Sequence, residues 1–381
     1  MTPSGQRRPG PNYWDYLRLD QLLSSQGGVE GDENAITNHE LLFIVVHQVY
    51  ELWFKQMLRE LEGVRDLLDR DPVPDQDLSL AVSSLRRVRE ILDHCTSHFR
   101  VMETLSPRDF LDFRDKLVPA SGFQSGQLRE MEILLGLPAD KRIHLGKEGS
   151  YLDALRSHDG EESHALRRVR ARLDDPRSLA AVVEDWLYRT PIRGSDPSTP
   201  GDAEAVRKFV EDYLASHRKE LGDFSIMAER QADADVDRER LRARYEAEEA
   251  GARKFLLAAD VPVLDDPSER LRRSRIRAAL VFIESYRSAP LLAWPRELLE
   301  ATIAMEQAFI LFRQRHARMV EREIGRRTGT GGSSGVDYLD RTALEYRVFG
   351  DLWAVRTILI RRGAVPDLEN ARFYGFRFDG A

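Results

Sequence analysis

Apolar side chains fill positions 41–46 without a break, then recur at 49, 50, 52, 53, 54, 57, 58, 61, 64, 67 and 68. The change from a continuous run to a stripe of helical period predicts one helix over 38–68, buried in its first half and amphipathic in its second. Thr37 and Glu40 stand at capping-box spacing and fix its start. The same period returns along the chain. It predicts a short amphipathic helix over 13–23 and a long one, capped by Asp75 or Asp77, that runs to position 104. Ser106-Pro107-Arg108-Asp109 is a helix start, with a capping serine, proline at the first helical position and an acid at the third. A helix over 124–135 follows the turn VPASGFQSG. From position 268 two helices are joined across SAPLLAWP, with Trp294-Pro295 opening the second. Gly325 ends that pattern, and a last helix is expected over 338–362.

The remaining stretches divide the chain. Residues 1–12 are polar and rich in Pro and Gly and read as a disordered tail. Residues 13–35 form an N-terminal arm and linker, 36–362 a helical domain, and 363–381 a C-terminal tail. Positions 140–265 are charged and helix-prone, which usually means solvated faces. His144, His158, His164 and His217 fall in polar surroundings there and are expected at the surface.

Composition narrows the function. A net charge of −7, with 57 Lys and Arg against 64 Asp and Glu, argues against a nucleic-acid protein. Cys95 is the only cysteine. That excludes an intrachain disulfide, a multi-thiolate zinc site, an iron–sulfur cluster and thioether-linked haem. No apolar run reaches transmembrane length and no signal peptide is visible, so a cytoplasmic protein with no membrane partner is expected.

Several side chains ask for a partner. His47 sits in the most apolar part of its helix, with Phe43, Tyr50 and Glu51 on the same side at offsets of four, three and four. Such an imidazole is usually a satisfied core residue; otherwise it meets a ligand. Arg114 stands beside Phe110 and Phe113 on an apolar segment, where a guanidinium needs an anion. An internal salt bridge is the ordinary answer. His94 and His98 are four apart but lack a third ligand. Phe312 and His316 share a helix face. GTGGSSG alone has the composition of a linker and lacks the lysine of a phosphate loop.

Three separated blocks carry a resemblance: FIVVHQVYELWFKQ, TLSPRDFLDFRDKLVPASGFQSGQLREMEILLG and HxxMVxRxIGxxxGTGGSSGxxYL. They resemble the tryptophan 2,3-dioxygenase family of haem enzymes. The arm pattern YxxYLxLDxLL is similar to that family's N-terminal arm. The resemblance implies an all-α fold, with one haem-binding helical domain per chain and a homotetramer built as a dimer of dimers. It implies non-covalent ferrous haem b with His316 as the axial iron ligand, and O2 as co-substrate. Ser121 would lie near the haem edge, Arg129 would face a propionate, and Phe312 would back the cofactor where many members have Trp. Phe43 and Phe110 would line the indole pocket. His47 would bond the indole N–H, Arg114 the substrate carboxylate and Thr330 its ammonium. Tyr13, Tyr16 and Leu17 would reach over a neighbouring subunit's pocket. The implied reaction is insertion of O2 across the indole C2–C3 bond of L-tryptophan, giving N-formylkynurenine for the kynurenine pathway. Two alternatives stay open. One is a related haem oxygenase acting on a modified tryptophan or inserting one oxygen to give an oxindole. The other is a non-catalytic haem- or indole-binding protein.

Overall fold

The computed structural model describes residues 10, 12–143, 151–156, 161–175, 177–231, 234–260, 266–329 and 335–375. Among them the helices run α1 Tyr13–Leu17, α2 Leu19–Leu22, α3 Asn38–Leu68, α4 Asp75–Met102, α5 Pro107–Arg114, α6 Gly126–Leu135 and α7 His164–Leu173. They continue with α8 Leu179–Arg189, α9 Asp202–Gln231, α10 Asp235–Leu256, α11 Pro267–Ser285, α12 Ala293–Ile324, α13 Val336–Glu345 and α14 Gly350–Ala354. No strand occurs among the described residues, so the fold is all-α as expected.

The sequence caps work as read. Thr37 accepts the Glu40 amide at 3.2 Å, and Ser106 accepts the Asp109 amide at 3.2 Å. Gly325 closes α12 with φ +61°, a conformation that a side chain resists.

The long helices α3, α4 and α12 form the frame. Their shared seam is aromatic: Tyr50 and Phe54 from α3, Phe99 from α4 and Phe312 from α12 stand 5.1–6.2 Å apart, centroid to centroid. Tyr50 closes its one polar end by donating to the Cys95 carbonyl at 3.2 Å. Rings packed edge and face, with the hydroxyl satisfied, give a stiff wall, and that wall carries the site described below.

Five expectations are corrected. The helix over 13–23 is two short pieces, broken at Arg18 with φ +56°, and none of their residues is buried. Segments this short need a packing surface, which the described residues of this chain do not supply. α4 begins after Pro74 with no side-chain cap from Asp75 or Asp77. The first half of α3 is only half-buried, and Val45 is exposed, because Phe43 and His47 line an open pocket. The last helix breaks at 346–349, where the Glu306 carboxylate accepts the Val348 and Phe349 amides at 2.6 and 3.1 Å and the Trp353 indole N–H at 2.6 Å. Those amides can no longer serve a helix. His217 is buried at 4% exposure. It lies on the inner face of α9, whose charged composition hid a stripe of Val206, Phe209, Val210 and Tyr213. His164 is exposed as expected, whereas His144 and His158 lie outside the described residues.

Candidate active site

α12 contributes the floor of a pocket that is partly open to solvent. Phe312 and His316 lie on the same helix face and both line it. The Phe99 ring stacks on the His316 imidazole at 5.4 Å and 6°. Burial pushes the His316 pKa down to about 4, and the nearby His47 and Arg313 push the same way. The imidazole is therefore neutral at pH 7, with a nitrogen lone pair free to coordinate.

That shift has a stability consequence. An unfolded chain would protonate His316 near 6.5, the folded one only near 4. Ligand-free protein should thus lose stability as pH falls from 6.5 toward 4 and lose no more from this group below that. The loss should reach about 3 kcal/mol. Denaturant unfolding across that range, with His316→Leu as control, measures it; parallel curves for the two proteins would refute it.

α3 supplies His47. Its Nδ1 lies 2.7 Å from the Phe43 carbonyl. A carbonyl can only accept, so Nδ1 carries the proton. Burial lowers the His47 pKa, against the pull of the Phe43 carbonyl and Glu51. A neutral ring that is protonated at Nδ1 has an unprotonated Nε2, which is a hydrogen-bond acceptor. The ring is exposed to the pocket although protein packs closely around it.

α5 adds Phe110 and Arg114. Phe43, Phe110 and Phe113 form an aromatic corner with centroids 5.4–5.9 Å apart. Among the described residues Arg114 does not make the expected ion pair with an acid. Its Nη2 donates to the Thr328 carbonyl at 2.6 Å, and its Nε is buried with no partner.

Ser121 and Arg129 also line the pocket. Arg129 Nη1 donates to Glu132 at 2.8 Å, and Glu132 accepts Arg313 Nη2 at 2.7 Å. Burial works against the Glu132 charge, but Arg129 and Arg313 outweigh it and hold its pKa below the ordinary value. Arg129 Nε is left buried and without a partner. Thr330 lies outside the described residues. Tyr13 and Tyr16 are 75% and 74% exposed, and with Leu17 they do not line this chain's pocket.

Sequence reading missed Arg313, Glu323 and Thr342 as lining residues. Arg313 follows Phe312 directly, and its burial among apolar neighbours was the available signal. Glu323 is buried, with both carboxylate oxygens unpartnered, and burial raises its pKa. Nothing in the charged run around it marks this position. Among the described residues, no three His, Cys, Asp or Glu are placed to hold a metal ion by themselves.

The family model described as tryptophan 2,3-dioxygenase matches residues 4–359. The chain belongs to the tryptophan 2,3-dioxygenase family. It is 57% identical over 368 residues to the tryptophan 2,3-dioxygenase of Sorangium cellulosum, covering 97% of this chain and 88% of that one. It is 52% identical over 372 residues to tryptophan 2,3-dioxygenase 2 of Ralstonia nicotianae, covering 96% and 97%. The tryptophan 2,3-dioxygenase of an insect, Anopheles gambiae, is 34% identical over 365 residues, covering 95% and 88%. These family matches run through the middle third, which the three sequence blocks left blank. No helix among the described residues is long and apolar enough to cross a membrane.

Proposed function

We propose that this protein is a haem-dependent dioxygenase that cleaves the indole C2–C3 bond of L-tryptophan with O2, giving N-formylkynurenine. One observation carries the reading. A single pocket holds a neutral, protein-unpartnered histidine on α12, and on α5 an arginine with spare buried donor capacity.

The residues present fit haem b. One neutral histidine with no companion ligands suits an iron whose other ligands come from a macrocycle. Phe99 and Phe312 give that histidine an apolar backing, and the buried Arg129 Nε, with Ser121, would meet a propionate. When bound, ferrous haem supplies an open coordination position for O2.

The chain's own groups orient the substrate. Arg114 offers its unused nitrogens to the carboxylate, where a planar guanidinium can bind in two-pronged fashion. Thr330 would take the ammonium. Phe43 and Phe110 stack against the indole. His47 Nε2 accepts the indole N–H and so sets the ring's angle. L-tryptophan and O2 together contain every atom of N-formylkynurenine, so no external reductant is needed. The lowered His47 pKa keeps its acceptor available to below the ordinary histidine range.

His47→Ala should slow turnover by roughly 10- to 100-fold, the value of one orienting hydrogen bond, without ending it. Steady-state kinetics at equal haem content checks this. Complete inactivity with haem and substrate still bound would instead make His47 an obligatory base.

We further propose a cytoplasmic homotetramer with arm exchange. Tyr13, Trp14, Tyr16 and Leu17 are all exposed on their own chain, as are Val45 and Leu52 of α3 and Leu311 of α12. The link after the arm is about ten residues and spans up to ~30 Å when extended, enough to reach another protomer. Side chains delivered in this way would exclude water from the indole pocket.

The reading is tested by supplying haem-loaded protein with L-tryptophan and analysing the product. An oxindole, or turnover only of a ring-modified tryptophan, would replace it with the specialised-oxygenase alternative.

A further inference from the structure

The wall that presents Arg114 is built from a short helix. α5 has eight residues, too few for a helix to hold its own shape in water. One 3₁₀ turn, Asp115–Leu117, follows it. Phe113 is buried and anchors the inner side. Arg114, however, is the last residue of α5, and helix ends fray. Its aim must be set from beyond the helix.

Lys116 lies two residues on. Its ammonium donates to Glu30 Oε1 at 2.7 Å and to Glu40 Oε2 at 3.0 Å. Glu30 belongs to the link between arm and body. Glu40 belongs to the first turn of α3, seven residues ahead of His47. One cation therefore joins the arm root, the helix bearing Phe43 and His47, and the segment bearing Arg114.

The clasp is buried at one end: the Lys116 and Glu30 side chains are 38% and 34% exposed, but Glu40 is 3% exposed, and a buried carboxylate stripped of its cation is unfavourable. The bonds to Glu30 and Glu40 raise the Lys116 pKa, so the ammonium stays charged. The root is also fitted closely around the clasp. Gly28 has φ +63°, and a Cβ there would come within 3.3 Å of Glu30 Oε2, Glu40 Oε1 and the Ile36 side chain. Buried Gln26 donates to Gln48 at 2.7 Å, and Gln48 donates to the Ser25 carbonyl at 2.8 Å. Gln48 adjoins His47 in the chain.

We propose that Lys116 is a positioning residue. Its clasp on Glu30 and Glu40 holds the end of α5 so that Arg114 is aimed at the ligand's carboxylate, and it ties that aim to the root of the arm. The proposal rests on the carboxylate-binding reading of Arg114 given above.

The test uses haem-loaded full-length protein and two ligands that differ by the carboxylate, L-tryptophan and tryptamine. Calorimetric titration of K116M should show L-tryptophan weakened about tenfold or more, the scale of one mis-aimed charge-assisted contact. Tryptamine should stay within about twofold of wild type. K116R should recover most of the loss. Amide hydrogen exchange over 26–36 should quicken in K116M. If K116M does not fold, E40Q/K116M, which removes the buried charge together with its partner, takes its place with the same expected selective loss.

Equal weakening of both ligands, or no weakening of either, overturns the proposal while leaving Arg114's role intact, provided the wild type prefers L-tryptophan. A wild type with no such preference overturns the Arg114 reading and the proposal together. Unchanged exchange over 26–36 removes the link to the arm.

Discussion

Replacing His316 with alanine is expected to leave a folded protein that no longer holds haem and turns over L-tryptophan at background rate. The expectation follows from how alone His316 is. Among the described residues the other neutral imidazole of the pocket, His47, comes from α3 rather than α12, and the low pKa of His316 means that no proton need be removed before it coordinates. The fold should survive, because α12 is 32 residues long and also buries Leu298, Leu299, Ile303, Met305 and Phe309 ahead of this position. Added imidazole should refill the space beside Phe99 and restore part of the haem absorbance. Full haem occupancy with normal turnover in His316→Ala would sink the assignment of the ligand.

Replacing Arg114 with leucine should raise the KM for L-tryptophan by roughly 30- to 5,000-fold, with haem content unchanged. Losing one partner of a buried charge-assisted pair costs about 2–5 kcal/mol. Among the described residues Arg114 bonds only to the Thr328 carbonyl, so its loss removes one neutral contact from the fold but the whole cation from the proposed carboxylate site. Tryptamine, with no carboxylate, should bind Arg114→Leu and wild type alike. Unfolding of the variant would show that the contact with Thr328 is structural.

The contrast between these two residues shows what a sequence carries and what it does not. The place of His316 on the pocket wall was legible because its surroundings are local: a helical stripe, a glycine stop and a distinctive loop all lie within 20 residues. His47 was legible for the same reason, from offsets along one helix. For Arg114 the need for a partner was visible but the partner was not, since Thr328 lies 214 positions away. The ordinary expectation of an ion pair was wrong there, whereas Arg129, read only as facing a propionate, pairs with an acid three residues on.

The fold follows the same division. Helices whose caps and stripes are local, such as α3 and α5, start where the sequence says. The break between α13 and α14 could not be read, because it is made by Glu306 from a different helix. His217 was misplaced because charged neighbours outnumber the four apolar residues that bury its face. The Lys116 clasp is likewise invisible in sequence: its three acids and bases are spread over 86 positions and meet only after α3 and α5 have packed.

The most direct test of the account is a single turnover experiment with heavy-isotope O2. Haem-loaded, reduced protein is mixed with L-tryptophan, and the product is examined by mass spectrometry before the formyl group can hydrolyse. The account predicts N-formylkynurenine with both of its new oxygens labelled from the same dioxygen. A product carrying a single labelled oxygen, or unchanged L-tryptophan in the presence of bound haem and O2, would contradict it.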